Sequence, residues 1–267
     1  MTRNLSLATG TLMVALLLML ALLGPSLDSA DPLAINLPHA LAGPSKRHPM
    51  GCDALGRDML ARTLWGARIS VGIAATVVGV SLIVGSLVGA AAALAGGLTD
   101  ELLMRIVDVL LAFPGILLAI ALAAILGPGL VDLVIALAAM GWTGYARLVR
   151  GEILSLRERE YVQAARSLGA SPWRLMSRHL LPAVAAPLAV QASFGIGGII
   201  VAEAALSFLG LGIPPPQPTW GGMLDQGRAF LLVAPHLTTV PGLAIGLSVL
   251  GFNFLGDGLA QLFGRRR

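Results

Sequence analysis

Long apolar stretches alternate with short polar segments along nearly the whole chain. A helix needs about 20 mainly apolar residues to cross the roughly 30 Å hydrocarbon core of a bilayer. Six segments meet this condition, with approximate bounds 5–24, 69–95, 103–126, 130–149, 183–206 and 237–259. Because the apolar residues run continuously, a transmembrane β-barrel is excluded. The pattern predicts an all-α membrane protein with six transmembrane helices.

The composition supports a membrane protein. Of the 267 residues, 56% are hydrophobic and only 12% are charged, whereas soluble domains carry about 25% charged residues. The mean hydropathy is +0.84. These values exclude a soluble enzyme and a disordered chain, and the single Cys52 excludes an intrachain disulfide framework. A net charge of +4 without a basic stripe of interleaved aromatics does not indicate a nucleic-acid partner.

The first apolar segment leaves two interpretations open. Its apolar run from Leu5 to Leu23 exceeds the roughly 7–15 residues of a signal-peptide core, which favours an uncleaved membrane anchor. Small residues at Ser29 and Ala30 keep a cleaved signal peptide as the alternative. Both interpretations orient the later spans in the same way.

The basic residues predict the orientation in the membrane. With both termini in the cytoplasm, 12 Lys and Arg residues lie inside and 6 outside, as the positive-inside rule prefers. Five of the outer ones fall in the first loop, and we expect the stretch 53–68 to lie along the membrane interface. The sequence then divides into an anchor and outer loop (1–66), a membrane core (67–260) and a basic cytoplasmic tail (261–267).

The most charged segment, 147–182, predicts two short cytoplasmic helices. The first runs from about Leu156 to Leu168 and ends at Gly169, which suits the left-handed conformation that closes many helices. Ser171 then caps a second helix that begins with Pro172. On the first helix Val162, Ala165, Leu168 and Gly169 share one face, with arginines facing water. Spacing alone leaves open a lever that docks into another protein and an ordinary amphipathic surface helix.

Within this segment, Gln163-Ala-Ala is followed by Gly169 and, after nine residues, by His179-x-Leu-Pro182. This pattern resembles the EAA loop of permease subunits in binding-protein-dependent ABC importers, with Gln163 where glutamate is usual. Further stretches are similar to the peptide and nickel branch of these importers: 48–58, 66–70, 100–108, 113–114, 145–150, 160–162, 206–212, 220–221, 241–245 and 253–258. The chain thereby resembles the second permease of dipeptide and oligopeptide systems.

The resemblance implies a set of partners in the inner membrane and on both sides of it. They are a second permease subunit in a heterodimer, two cytoplasmic ATPase subunits and an extracytoplasmic binding protein. The chain has no Gly-x-x-x-x-Gly-Lys-Ser/Thr loop, so we expect ATP and Mg²⁺ on the partner ATPases and no cofactor or metal on this chain. The implied ATPase-coupling residues are Glu160, Tyr161, Gln163, Ala164, Ala165, Arg166, Leu168, Gly169 and Ala170.

Charged residues near the spans are further candidates for function. Glu203 is predicted near the outer end of the fifth span, where it lines the pathway, contacts the second permease or forms a solvated helix end. Glu101 and Arg105 are spaced for a structural pair on one helix. Glycines such as Gly85 and Gly89 indicate helices that slide against a partner subunit or pack tightly within one bundle.

We interpret the chain as the permease of an ATP-driven importer that moves di- or oligopeptides by alternating access. The nearest alternative is import of nickel or another small solute, for example a glutathione-like one. A passive channel or an intramembrane hydrolase is a different class, and no serine and histidine within the predicted spans pair as nucleophile and base. The chain itself is therefore not expected to be an enzyme.

Overall fold

The computed structural model describes residues 5–27 and 30–264, most of which are helical. The long helices are α1 (Leu5–Leu27), α2 (Met59–Ala95), α3 (Gly97–Ala112), α4 (Gly115–Leu126), α5 (Leu130–Arg157), α8 (Leu181–Phe208) and α10 (His236–Gly264). Three are short: α6 (Glu160–Ser167), α7 (Pro172–Leu175) and α9 (Trp220–Gly227). A π-helical turn, Met176–Leu180, joins α7 to α8. The predicted all-α class is confirmed.

Within the described residues, five stretches are long and apolar enough to cross a membrane, and a bent pair of helices makes six if the pair forms one span. The five lie in α1, α2, α5, the joined segment Met176–Phe208, and α10. The span predicted over 103–126 consists of two helices, since α3 and α4 meet at an angle of 87°. Pro114 disfavours helical backbone at the residue before it, and Phe113 is extended with φ −91° and ψ 141°.

Helix contacts place both described ends of the chain at one end of the bundle. Gly10 packs against Leu255 and Gly258 against Leu7, so α1 and α10 run antiparallel. Gly256 packs against Phe194 while Gly197 packs against Val249, so α8 and α10 are antiparallel as well. The end of α10 therefore lies beside the start of α1 and the start of α8, next to α6. We call this the α6 end of the bundle, and the opposite end the α9 end.

Two glycines let α2 and α5 approach backbone to backbone. A Cβ atom on Gly85 would overlap the carbonyl oxygen of Trp142, and one on Gly89 would overlap that of Ala146. Small residues permit such contact where lipid supplies no hydrophobic driving force between helices. These contacts support the interpretation that Gly85 and Gly89 serve tight packing within one chain, and not sliding against a partner subunit.

The loop that precedes α2 folds over the α9 end. Helix α2 begins at Met59, ten residues before the predicted span 69–95, because the Asp58 carboxylate accepts a hydrogen bond from Ala61 N at 2.9 Å and caps the helix. Residues 53–68, which the sequence places along the membrane interface, are therefore partly helical and partly buried. The predicted divisions at 66/67 and 260/261 fall inside α2 and α10.

Candidate functional site: the α6 segment and the polar clusters of the bundle

The α6 segment comprises α6, the turn that follows it and α7, residues 160–175. Within it, helix α6 ends in a complete glycine C-cap. Gly169 has φ +80°, and its N–H donates to Arg166 O at 3.0 Å, while Ala170 N donates to Ala165 O at 3.1 Å. This is the Schellman arrangement, in which a left-handed residue satisfies the last carbonyls of a helix. The predicted role of Gly169 as the helix terminator is confirmed.

A second predicted cap follows directly. Arg174 N donates to Ser171 Oγ at 3.3 Å, so Ser171 caps α7 as its position before Pro172 predicts. The chain then passes through the π-helical turn into α8. The α6 segment is thus joined to a membrane helix without an intervening loop after α7.

One buried valine fixes α6 to the bundle. Val162 packs in a cluster with Val149 and Ile153 of α5, Met176 and Leu180 of the π-helical turn, and Val184 of α8. Displacing α6 must therefore disturb the ends of two membrane helices, because protein interiors are close-packed.

The other predicted coupling residues lie mostly at the surface. Glu160, Tyr161, Gln163, Ala164, Arg166 and Gly169 are exposed, and Ala165 and Ala170 are half-buried. The prediction that Leu168 shares the inward face of Val162 is wrong, since Leu168 is 88% exposed. The physical reason is that α6 ends at Ser167 and Leu168 already belongs to the turn. An exposed leucine beside two small residues presents an apolar surface outside the bundle.

Ion pairs between α3 and α5 hold the two helices together at the α6 end of the bundle. Arg150 donates two hydrogen bonds to Asp100, from Nε at 2.5 Å and Nη2 at 2.6 Å, and Arg147 pairs with Asp108 at 2.6 Å. Arg157 Nη1 donates to Ala93 O at 2.6 Å. The sequence predicted a pair along α3 between Glu101 and Arg105, which is not among the described ion pairs; Asp100 and Asp108 of α3 instead bind α5. Helical spacing identifies partners within a helix and gives no register between two helices.

Glu203 is buried inside the bundle, so the alternative of a solvated helix end is wrong. Its side chain is 0% exposed, and its carboxylate accepts hydrogen bonds from Ser207 Oγ at 2.8 Å and Ser70 Oγ at 3.3 Å. Ser70 Oγ in turn accepts from Trp220 N at 3.2 Å. The cluster joins α2, α8 and α9. Contact with a pathway or a partner remains a prediction that requires another conformation.

We expect replacement of Glu203 by leucine to destabilise the chain. The change leaves the hydroxyls of Ser70 and Ser207 without their acceptor in an apolar interior, at a cost of about 1–3 kcal/mol. Glu203→Gln, the matched control, keeps an acceptor oxygen and should unfold near the wild-type temperature. Thermal unfolding of the purified chain in detergent measures both. A Glu203→Leu variant as stable as wild type would contradict this role.

A second polar network closes the α9 end. Asp53 Oδ2 accepts from Arg57 Nε at 2.6 Å and lies 3.4 Å from Arg62 Nε. Gln226 Oε1 accepts from both arginines, from Arg57 Nη2 and Arg62 Nη2, each at 3.1 Å. This network ties the loop before α2 to α9, and no spacing in the sequence indicates a contact between positions so far apart.

Two histidines near this network make further contacts with the loop before α2. His48 Nδ1 lies 2.7 Å from Asp58 Oδ2, and His236 Nε2 lies 3.1 Å from Cys52 O. Cys52 itself is fully buried. Burial, together with the charges of Asp58 and Asp53, raises the pKa of the Cys52 thiol. The thiol therefore remains protonated at neutral pH and is shielded from reagents.

Three serines could serve an intramembrane hydrolase: Ser70 and Ser193 are hydrogen-bonded elsewhere, and Ser81 has a buried Oγ with no hydrogen-bond partner among the described residues. Ser70 belongs to the Glu203 cluster, and Ser193 Oγ donates to Ala189 O at 3.0 Å. Among the described contacts, no histidine lies beside any of the three hydroxyls. The geometry provides no activated nucleophile at these positions.

Comparison with known proteins places the chain among membrane components of transport systems. Residues 81–267 match the family described as "Binding-protein-dependent transport system inner membrane component". The chain is 48% identical over 217 residues to the glutathione transport system permease protein GsiD of Pectobacterium atrosepticum, which covers 81% of this chain and 72% of that protein. It is 43% identical over 250 residues to the dipeptide transport system permease protein DppC of Alkalihalophilus pseudofirmus, covering 94% and 82%.

The fold also has a counterpart among solved structures. A chain of the MetNI methionine ABC transporter in an inward-facing crystal form aligns with a TM-score of 0.61 at 17% identity, covering 77% of this chain and 97% of that one. At this identity the likeness concerns the fold alone.

Proposed function

Because this chain belongs to the family of inner membrane components of binding-protein-dependent transport systems, we propose that it forms one half of the path through which an ATP-driven importer moves short peptides. The chain is a multi-pass inner membrane permease subunit. The observation that carries the proposal is the exposed α6 segment, capped by Gly169 and fixed to the bundle through Val162.

The proposed partners follow from what this chain lacks and what it exposes. A second permease completes the path, two cytoplasmic ATPases bind ATP and Mg²⁺, and an extracytoplasmic binding protein delivers the peptide. The surface around Ala164 and Leu168 is the proposed ATPase contact, since it is exposed, apolar and small in side-chain bulk.

The proposed mechanism is alternating access driven from the α6 end. Closure of the ATPase pair displaces α6, and the Val162 cluster transmits the displacement to α5 and α8. Close packing favours a switch between two discrete arrangements over a continuous deformation. The ion pair of Arg150 with Asp100 keeps α3 moving with α5. The chain contributes a bistable interface and no reactive group.

We expect cysteine labelling to place the α6 end in the cytoplasm. An impermeant maleimide added to intact spheroplasts should label Lys46→Cys, whose position is exposed beside the α9 end, and should leave Leu168→Cys unlabelled until the membrane is permeabilised. The buried Cys52 gives a silent background. Labelling of Leu168→Cys in sealed spheroplasts would show the opposite orientation.

The proposed cargo is a short peptide, supported by relatives named for dipeptide and glutathione transport. The test is uptake by the complete complex in proteoliposomes, with a labelled dipeptide, glutathione and Ni²⁺ compared at equal concentration. We expect ATP-dependent uptake of a peptide. Exclusive Ni²⁺ uptake would assign the metal alternative, and peptide uptake that continues without ATP would indicate a passive channel.

A further inference from the structure

A cavity of about 340 Å³ opens at the α9 end, between the loop before α2 and the helices α9 and α10. Its size falls at the lower end of the range for small-molecule sites. Apolar side chains form most of its wall: Leu55, Met59, Pro215, Met223, Phe230 and Leu237. Arg57, Arg62, Asp53 and Gln226 also line it.

The polar part of this cavity carries an uncompensated positive charge. Arg57 and Arg62 are both buried, Arg62 with only 1% of its surface exposed, and they share the single carboxylate of Asp53. Gln226 accepts a hydrogen bond from each but adds no charge. A buried charge without a counter-charge is costly, because it has lost its hydration. Two guanidiniums against one carboxylate leave room for one further negative charge.

Donor groups of the two arginines are also left unused. Arg62 Nη1 donates to Pro32 O at 3.3 Å, and Arg62 Nε, which lies 3.4 Å from Asp53 Oδ2 and donates no hydrogen bond, is fully enclosed and does not face the cavity. Among the described contacts Arg57 Nη1 donates no hydrogen bond, so Arg57 is the arginine with a donor left for a ligand. A planar guanidinium with free donors matches the geometry of a carboxylate.

We propose that this cavity binds a small molecule that carries one carboxylate beside an apolar group. The net charge of +1 on the cavity-lining residues suits a monoanion and would not balance a dianionic phosphate. The apolar wall suits an aliphatic or aromatic side chain, and the volume admits one to two amino-acid residues. If the proposed function holds, the ligand is the C-terminal residue of a short peptide arriving from the outer side.

The test compares two probes that differ only in charge. N-acetyl-leucine carries a carboxylate, and N-acetyl-leucinamide replaces it with a neutral amide of the same shape. Binding to the full-length chain in nanodiscs is measured by calorimetry and by the rise in unfolding temperature at millimolar probe, since a ligand that binds the folded state stabilises it. We expect saturable binding of the acid and at least about tenfold weaker binding of the amide.

Two variants assign the binding to this cavity. Gln226→Glu places a carboxylate between the same guanidiniums, so it should weaken binding of the acid at least about tenfold while the unliganded chain unfolds at the same or a higher temperature. Met223→Trp reduces the apolar volume and should weaken binding as well. Arg68→Gln, on an exposed side chain of α2, removes one positive charge elsewhere and should leave binding unchanged.

The outcomes separate this inference from the proposed function. Equal binding of acid and amide, no saturable binding, or an undiminished affinity in Gln226→Glu would overturn the inference while ATP-dependent peptide uptake still stood. Carboxylate binding that Gln226→Glu abolishes would support the site even if the complex were found to import no peptide. If the binding protein raised the unfolding temperature of the chain and N-acetyl-leucine did not, the cavity would be assigned to protein docking and the proposal would be overturned.

Discussion

Replacing Gly169 by aspartate should strongly reduce coupled transport while the chain still folds. Gly169 adopts φ +80°, where an L-residue is strained by about 1–2 kcal/mol. No atom lies within 4 Å of a Cβ at this position, so the change creates no clash within the chain. The new carboxylate would stand at the negative end of α6 and on the proposed ATPase contact. We expect uptake to fall at least about tenfold, since 1.4 kcal/mol corresponds to that factor.

The measurement is uptake and ATP hydrolysis by the reconstituted complex. Gly151→Asp is the matched control, because Gly151 is an exposed helical glycine of α5 with no atom within 4 Å of a Cβ. Both variants add one carboxylate to the same end of the bundle. Full uptake by Gly169→Asp, or an equal loss in Gly151→Asp, would contradict a specific coupling role for the cap.

Adding two methyl groups to the α2–α5 contact should prevent stable folding. In the double variant Gly85→Ala with Gly89→Ala, each Cβ meets a backbone carbonyl of α5, at Trp142 and Ala146. Backbone atoms move aside only when the whole helix moves. Overpacking costs about 1–3 kcal/mol per site, and the total is a large part of the roughly 5–15 kcal/mol that stabilises a domain. We expect little monodisperse protein after purification.

The control is the double variant Gly72→Ala with Gly79→Ala on the same helix. Neither position has an atom within 4 Å of a Cβ, and alanine favours helix over glycine by about 1 kcal/mol. This pair should therefore keep or slightly raise the unfolding temperature in detergent. Equal yields from the two double variants would show that the close contact of α2 with α5 is dispensable.

Much of the α6 segment could be predicted from local rules. The glycine that ends α6 and the serine that begins α7 follow from backbone preferences of single residues and their neighbours. The exposure of Leu168 was missed because helical periodicity holds only as far as the helix, and α6 ends one residue earlier. The break at Phe113 is a local effect of Pro114, but its angle of 87° depends on what α3 and α4 pack against.

Local rules could not predict the partners of the buried charged residues. Glu203 stands 133 positions from Ser70, and Gln226 stands 169 positions from Arg57. Contacts at this separation depend on how the helices are arranged around one another, which no residue spacing encodes. A charged residue within an apolar span did identify Glu203 as exceptional, without indicating whether it faces lipid, a path or the protein interior.

The sequence by itself determined the membrane class, the number of apolar segments and the caps of the α6 segment, because each depends on hydrophobicity over about 20 residues or on the backbone freedom of one. Tertiary structure alone decided which helices lie side by side, that Glu203 is enclosed, and that two arginines share one carboxylate beside a cavity. The reason is that these features arise from the register between helices distant in the chain, where close packing selects one arrangement among many with the same pattern.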